Sequence, residues 1–115
     1  MKTIVNKPWG SFEIINKGKK YTVKKIIVNP GGQLSLQSHE HRSEHWVIAE
    51  GNAEVIINEE KFNLYENQHI FIPQGAKHRL ANKGDQNLII FEMWFGDNLD
   101  ENDIKRFEDL YNRDS

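Results

Sequence analysis

Gln37, His39, His41 and Glu44 lie within one short stretch, and His78 follows in a second one further along. Imidazole, carboxylate and amide oxygen are ligands for a divalent metal. The chain has no cysteine, so no thiolate site and no disulfide can form. Side chains at i, i+2 and i+4 of a strand share a face, so Gln37, His39 and His41 point the same way if their strand continues that far. Glu44 can then re-enter the same space at the start of the next strand, and His78 arrives from a later one. Two ligand sets follow. One is Gln37, His39, Glu44 and His78; the other has His41 in place of Gln37. Imidazole softness favours His41, while His39, Glu44 and His78 belong to both sets. One divalent ion is expected, zinc first, with manganese, iron, nickel or cobalt also compatible. Ligands drawn from separate strands leave positions open for a substrate, as a catalytic metal requires. His45, next to Glu44, is expected on the opposite face of its strand, and His69 outside the site.

Turn-forming residues punctuate both stretches. The first is bracketed by Gly31 and Gly51, and the second runs Asn67, Pro73, Gly75, His78, Asn82. Asn at position 67 tolerates a positive φ, so a reversal can be made there. Strand signals surround these turns. Tyr21 to Val28 is β-branched and amphipathic and stops at Asn29-Pro30-Gly31-Gly32. Leu34 to Ser38 alternates, and His45 to Ala49 is apolar. Ala53 to Ile57 and Lys61 to Leu64 flank Asn58-Glu59-Glu60 as a hairpin. Ile70 to Ile72 and Leu88 to Phe95 complete the set. Short strands at regular spacing with turns between them predict a sandwich or barrel. The tail reads differently. Asp100 is placed to cap an α-helix over about 101–111, Leu99 and Ile104 are spaced as a hydrophobic staple, and Ile104, Phe107 and Tyr111 share a helical face expected to lie on the outside of the barrel.

The 115 residues suffice for a single domain, 1–115, with one modest core. A net charge of -2 gives no electrostatic reason to expect nucleic acid or an anionic membrane as partner. The N-terminal residues lack the apolar run of a signal peptide, and no stretch is long enough to span a bilayer, so a cytoplasmic protein is expected. Exposed sheet edges in so small a domain favour a homodimer.

At these residues the chain resembles a cupin. That family's first motif is a glycine, five residues, His-x-His, three or four residues, a glutamate, six residues and a glycine. Gly31, Gln37, His39, Glu44 and Gly51 fit it over about 31–51, with Gln37 in the place of the first histidine. The second motif fits over about 67–82 at Pro73, Gly75, His78 and Asn82, with Asn67 where glycine is usual. The segments KPWGSFE (Lys7 to Glu13), LSLQSHEHRSEHW (Leu34 to Trp46), IPQGAKHRLAN (Ile72 to Asn82) and DENDIKRFEDLYNR (Asp100 to Arg113) are similar to the type II phosphomannose isomerase domain. That domain is the C-terminal cupin of bifunctional mannose-6-phosphate isomerase/mannose-1-phosphate guanylyltransferase enzymes. The resemblance implies an all-β jelly-roll barrel, here with a short C-terminal helix. It also implies a metal-dependent aldose–ketose isomerase that interconverts mannose 6-phosphate and fructose 6-phosphate, and it favours Gln37 over His41 as ligand. No glycine-rich nucleotide loop is present, so guanylyltransferase activity is not implied. Glu92, His45 and a non-ligating His41 are the candidate proton carriers for such a reaction. Arg42 and Arg79 are the candidate phosphate binders, followed by Lys25 and Lys77, although strand alternation turns Arg79 away from the side of His78. Trp9 and Trp46 read as packing residues, and Trp94 as a bulky side chain able to narrow a pocket.

Overall fold

Alternation of apolar and polar side chains dictates two-faced strands, and the fold stacks them as two antiparallel sheets. The protein is described here by a computed structural model of residues 3–111. The domain expected over 1–115, and the C-terminal motif ending at Arg113, therefore reach slightly past the described residues. Within them lie β1 (Ile4–Lys7), β2 (Gly10–Lys17), β3 (Tyr21–Val28), β4 (Leu36–Ser38), β5 (Ser43–Glu50), β6 (Ala53–Ile57), β7 (Glu60–Leu64), β8 (His69–Ile72), β9 (His78–Ala81), β10 (Leu88–Phe95) and β11 (Lys105–Glu108). One sheet has the order β1-β2-β3-β10-β5-β8 and the other β11-β4-β9-β6-β7. The two inner faces enclose a core that includes Val28, Ile48, Val55, Leu80, Leu88 and Ile90, each almost fully buried. Burying side chains of this size stabilises by about 1.5–3 kcal/mol apiece.

The same alternation builds the polar end of the barrel. Along β10, Leu88, Ile90, Glu92 and Trp94 face inward. Along β3 the inward set is Thr22, Lys24, Ile26 and Val28, and along β5 it is Glu44, Trp46 and Ile48. Register therefore sets Glu92 opposite Lys24 on one side and Trp46 on the other, with Trp94 opposite Glu44. Apolar residues fill one half of the barrel and these charged ones line the other.

Two backbone features hold the ligand-bearing loops. Gly75 has φ 83°, and its N–H donates to the carbonyl of His39, joining the Pro73-Gln74-Gly75 turn to the first motif. Gly96 ends β10 so close to the His41 carbonyl that a Cβ there would lie 2.1 Å from the oxygen. Asn67 takes φ 73°, as its residue type allows. Asn58 and Glu59, both at positive φ, close the β6–β7 hairpin.

The tail departs from the sequence expectation. No helix forms over 101–111. Asp100 makes a tight turn instead: its side chain accepts the Asn102 N–H and its carbonyl accepts the Asp103 N–H. Lys105–Glu108 then pairs with β4. The reason is an unfilled edge. A helix of about ten residues is marginal by itself in water, whereas β4 offers backbone groups that must otherwise remain unpaired. Strand alternation also suits the residues, since Ile104 and Arg106 line the interior while Phe107 lies outside between Lys77 and Lys105. Residues 100–104 thereby become a strap along the mouth of the barrel rather than an outer helix.

Candidate metal centre and its cavity

The end of β4, the start of β5 and the start of β9 converge inside the polar half of the barrel. They bring His39, Glu44 and His78 together, all buried, with one ligand atom from each lying within 4.8 Å of the others. The His39 and His78 rings are 4.9 Å apart. Gln37 pairs directly with His78 across β4 and β9 and lines the same cavity. Its side-chain nitrogen donates to the Ser35 carbonyl at 3.3 Å, which leaves the amide oxygen for the cavity.

The surroundings set the chemistry of the donors. His39 Nδ1 lies 2.7 Å from the Asp103 carbonyl, and His78 Nδ1 lies 2.9 Å from the Ala76 carbonyl. A carbonyl can only accept, so each Nδ1 carries the proton and each Nε2 keeps its lone pair for the site. Burial pulls His39 down to about 4, and burial likewise lowers His78, so both imidazoles are neutral near pH 7. Burial alone would raise the Glu44 carboxyl, but the Arg42 guanidinium beside it draws it below the ordinary value. Arg42 Nε donates to Glu44 Oε2 at 2.8 Å and Trp46 Nε1 donates to Oε1 at 2.8 Å. Two neutral imidazoles and one ionised carboxylate on three separate elements suit a divalent metal, with Gln37 as a fourth donor. Arg42 also reaches His39 Nε2 at 3.2 Å and lies 3.4 Å over the Trp94 ring. With Nδ1 protonated, this guanidinium N–H donates to the Nε2 lone pair, so a metal bound at His39 would have to take its place.

The donors open onto a cavity of about 490 Å³, a size common for small-molecule sites. Four cationic side chains line it, Lys7, Lys24, Arg42 and Arg106, against three carboxylates, Glu44, Glu92 and Glu101. Burial, reinforced by the Glu44 charge, pushes the Glu92 carboxyl up to about 8, although Lys24 and the Trp94 indole pull the other way. The indole Nε1 donates to Glu92 Oε1 at 3.1 Å. Glu92 is therefore an internal acid held well above the ordinary carboxylate range, a property often found where protons are moved.

Several sequence candidates lie elsewhere. β4 stops at Ser38, so the i, i+2, i+4 alternation that would have aimed His41 inward is broken. The His41 side chain is 51% exposed, 3.7 Å from Glu40. His45 is on the outer face of β5, against Phe71 and Phe95. Arg79 points out of the cavity and meets Glu108 at 3.7 Å. Lys25 and Lys77 are also outside it; Lys77 lies over the Phe107 ring. Arg42 and Glu92 are inside. Trp9 and Trp46 are buried in the core and also form part of the cavity wall, as does Trp94. Among the charged cavity residues, sequence reasoning missed Lys7, Glu101 and Arg106 and, most consequentially, Lys24. Its signal was the alternation of β3, which turns Lys24 inward with Ile26 and Val28 and leaves Lys25 outside.

Known proteins share this fold. In solved structures the fold recurs in a Cupin 2 conserved barrel domain protein from Salinispora arenicola (TM-score 0.65, 18% identity, 73% of each chain). It also recurs in an oxalate decarboxylase from Lactobacillus farciminis (TM-score 0.80, 21% identity, 92% of this chain and 33% of that one). By sequence, the alginate biosynthesis protein AlgA of Pseudomonas putida is 49% identical over 111 residues, covering 96% of this chain and 23% of that protein. The mannose-1-phosphate guanylyltransferase ManC of Salmonella typhimurium is 49% identical over 109 residues, 95% of this chain and 23% of that one. The chain thus spans less than a quarter of the length of these curated relatives. The family model described as "Mannose-6-phosphate isomerase C-terminal" matches residues 1–109. With nearly the whole chain covered by that model, this cupin barrel belongs to the mannose-6-phosphate isomerase C-terminal domain family.

Proposed function

We propose that this domain interconverts mannose 6-phosphate and fructose 6-phosphate with one divalent metal held by His39, Glu44, His78 and Gln37, zinc first. The observation that carries the reading is the single cavity shared by three metal-type donors, a buried carboxyl group and four cationic side chains. A bound metal would polarise the sugar carbonyl and hold the neighbouring oxygen. Glu92 supplies the proton transfer: as carboxylate it takes the proton from C2 of the aldose and returns it to C1, while a second proton moves from O2 to O1. The Trp94 N–H fixes Glu92 Oε1, which leaves Oε2 to carry the proton. A carboxyl raised well above its ordinary value is a stronger base when ionised and can return the proton afterwards. Arg42 holds Glu44 ionised and in place. The hydrogen bonds to the Asp103 and Ala76 carbonyls keep the two imidazoles from rotating away. The same reading includes a homodimer and a cytoplasmic location. Support for the former is the exposed Val47, Phe71 and Phe95 on the outer face of the six-stranded sheet.

The test is a coupled mannose-6-phosphate isomerase assay on protein stripped of metal and reloaded with zinc, manganese, cobalt, nickel or ferrous iron, with His78→Ala alongside. Metal-dependent turnover that disappears in the variant is expected. Metal binding without turnover for every ion would overturn the reading and leave a sugar-binding module or a metal-dependent enzyme for another sugar.

A further inference from the structure

Lys24 is the most enclosed ammonium group of the cavity, with a side chain only 4% exposed. It rises from the middle of β3 between two aromatic faces, with Nζ 3.9 Å from the Phe12 ring centroid and 4.0 Å from that of Trp94. Its ion-pair partner is Glu101, 2.6 Å away, on the strap that follows β10. The two partners differ in freedom. Lys24 is fixed by the sheet, whereas the Glu101 side chain is 43% exposed and belongs to a turn. Arg42, by contrast, is already tied to Glu44, His39 and the Asp100 carbonyl.

We propose that Lys24 anchors the phosphate group of the substrate and that Glu101 is a built-in competitor which this phosphate displaces. The proposal rests on the isomerase reading for the identity of the sugar, but the anion site stands on its own geometry. A buried ammonium needs a counter-charge at all times. Glu101 supplies it when no ligand is present. A phosphate monoester brings more negative charge and three acceptor oxygens, against the one carboxylate oxygen that Lys24 holds. Exchange of one anion for the other keeps the ammonium paired with an opposite charge, and no covalent step is involved. A neutral sugar that pushed Glu101 aside would leave the ammonium unpaired, so the pair discriminates against unphosphorylated sugars. The aromatic walls exclude water from Lys24 and so strengthen the exchange for a ligand that reaches it.

The experiment is a titration of the full chain with inorganic phosphate, with and without a chelator so that phosphate held by metal is told apart. The indole N–H resonance of Trp94 reports binding beside Lys24. Glu101→Gln keeps the side-chain shape and removes the competing charge; it is expected to bind phosphate roughly three- to fivefold more tightly. Lys24→Met is expected to weaken phosphate by at least about tenfold. Lys24→Gln serves the same purpose if the methionine variant does not fold. Unchanged or weaker phosphate binding in Glu101→Gln overturns the competitor, and undiminished binding in a folded Lys24 variant overturns the anchor. If phosphate responds as stated while mannose 6-phosphate is not turned over, the anchor stands and the isomerase assignment falls. Turnover combined with phosphate affinity indifferent to all these variants has the reverse meaning.

Discussion

Replacing Glu92 by Gln is expected to flatten the fall of stability between pH 6.5 and 8 in metal-free protein. Folded Glu92 releases its proton at about 8, and an ordinary unfolded glutamate at 4.5. Between those values the folded state holds one proton more than the unfolded state. The stabilisation from Glu92 is therefore full below pH 4.5 and is lost as pH rises through 8. His39 works in the opposite sense. Its folded value is about 4 against an ordinary 6.5, so its contribution is complete above pH 6.5 and lost as pH falls toward 4. The two slopes oppose each other from pH 4.5 to 6.5, and above 6.5 Glu92 acts without that compensation. One pH unit corresponds to about 1.4 kcal/mol, so the interval from pH 6.5 to 8 removes roughly 2 kcal/mol. In a chain of this size that is a drop of roughly 8 °C in Tm. Thermal denaturation followed by circular dichroism across this range, in the presence of a chelator, measures it. Every other titrating residue is common to both proteins, so the difference in slope belongs to Glu92. A Glu92→Gln variant whose Tm falls in parallel with the parent protein would refute the reasoning.

Three further outcomes are expected. Saturating zinc at about a hundred times its Kd should stabilise the parent protein by roughly 2.7 kcal/mol and leave His78→Ala unmoved; an equal Tm rise in both would remove His78 from the metal site. Isothermal titration with zinc should show Gln37→Ala weakened by at least roughly tenfold and His41→Ala unchanged, and the reverse pattern would restore His41 as ligand. Asp103→Ala removes a carboxylate that accepts the N–H groups of Glu40 and His41, both at 2.9 Å, and should cost about 1–3 kcal/mol. Amide hydrogen exchange should quicken at those two residues, and unchanged protection would show that the strap is held by other contacts.

Strand periodicity and turn chemistry made most of the barrel legible in the sequence. The runs Tyr21–Val28, Ala53–Ile57 and Leu88–Phe95 became strands with the same bounds. His39, Glu44 and His78 could be singled out because their chemistry and their turns point the same way. The remainder depended on facts that no local pattern carries. Whether 101–111 coils or extends is decided by the free edge of β4, formed by residues distant in sequence. Whether His41 faces inward depends on β4 stopping at Ser38, where Asp103 ties down the next two backbone N–H groups. Lys24 was passed over because a lysine in a strand is ordinarily solvated. Its alternation with Ile26 and Val28 gave the contrary signal, and the counter-charge that allows its burial comes from Glu101, far along the chain.

The hydrogen bond from His39 Nδ1 to the Asp103 carbonyl spans 64 positions, and it bears on the order in which a newly made chain matures. When the ribosome has finished both sequence motifs, the strap does not yet exist. Without residues 100–104 the His39 ring would lack the carbonyl that fixes its tautomer, and Lys24 would lack Glu101. Only synthesis of residues 100–104 fixes the tautomer and closes the mouth of the barrel. For a metal held as proposed, the orientation of one ligand would thus depend on residues of the strap that never touch the ion.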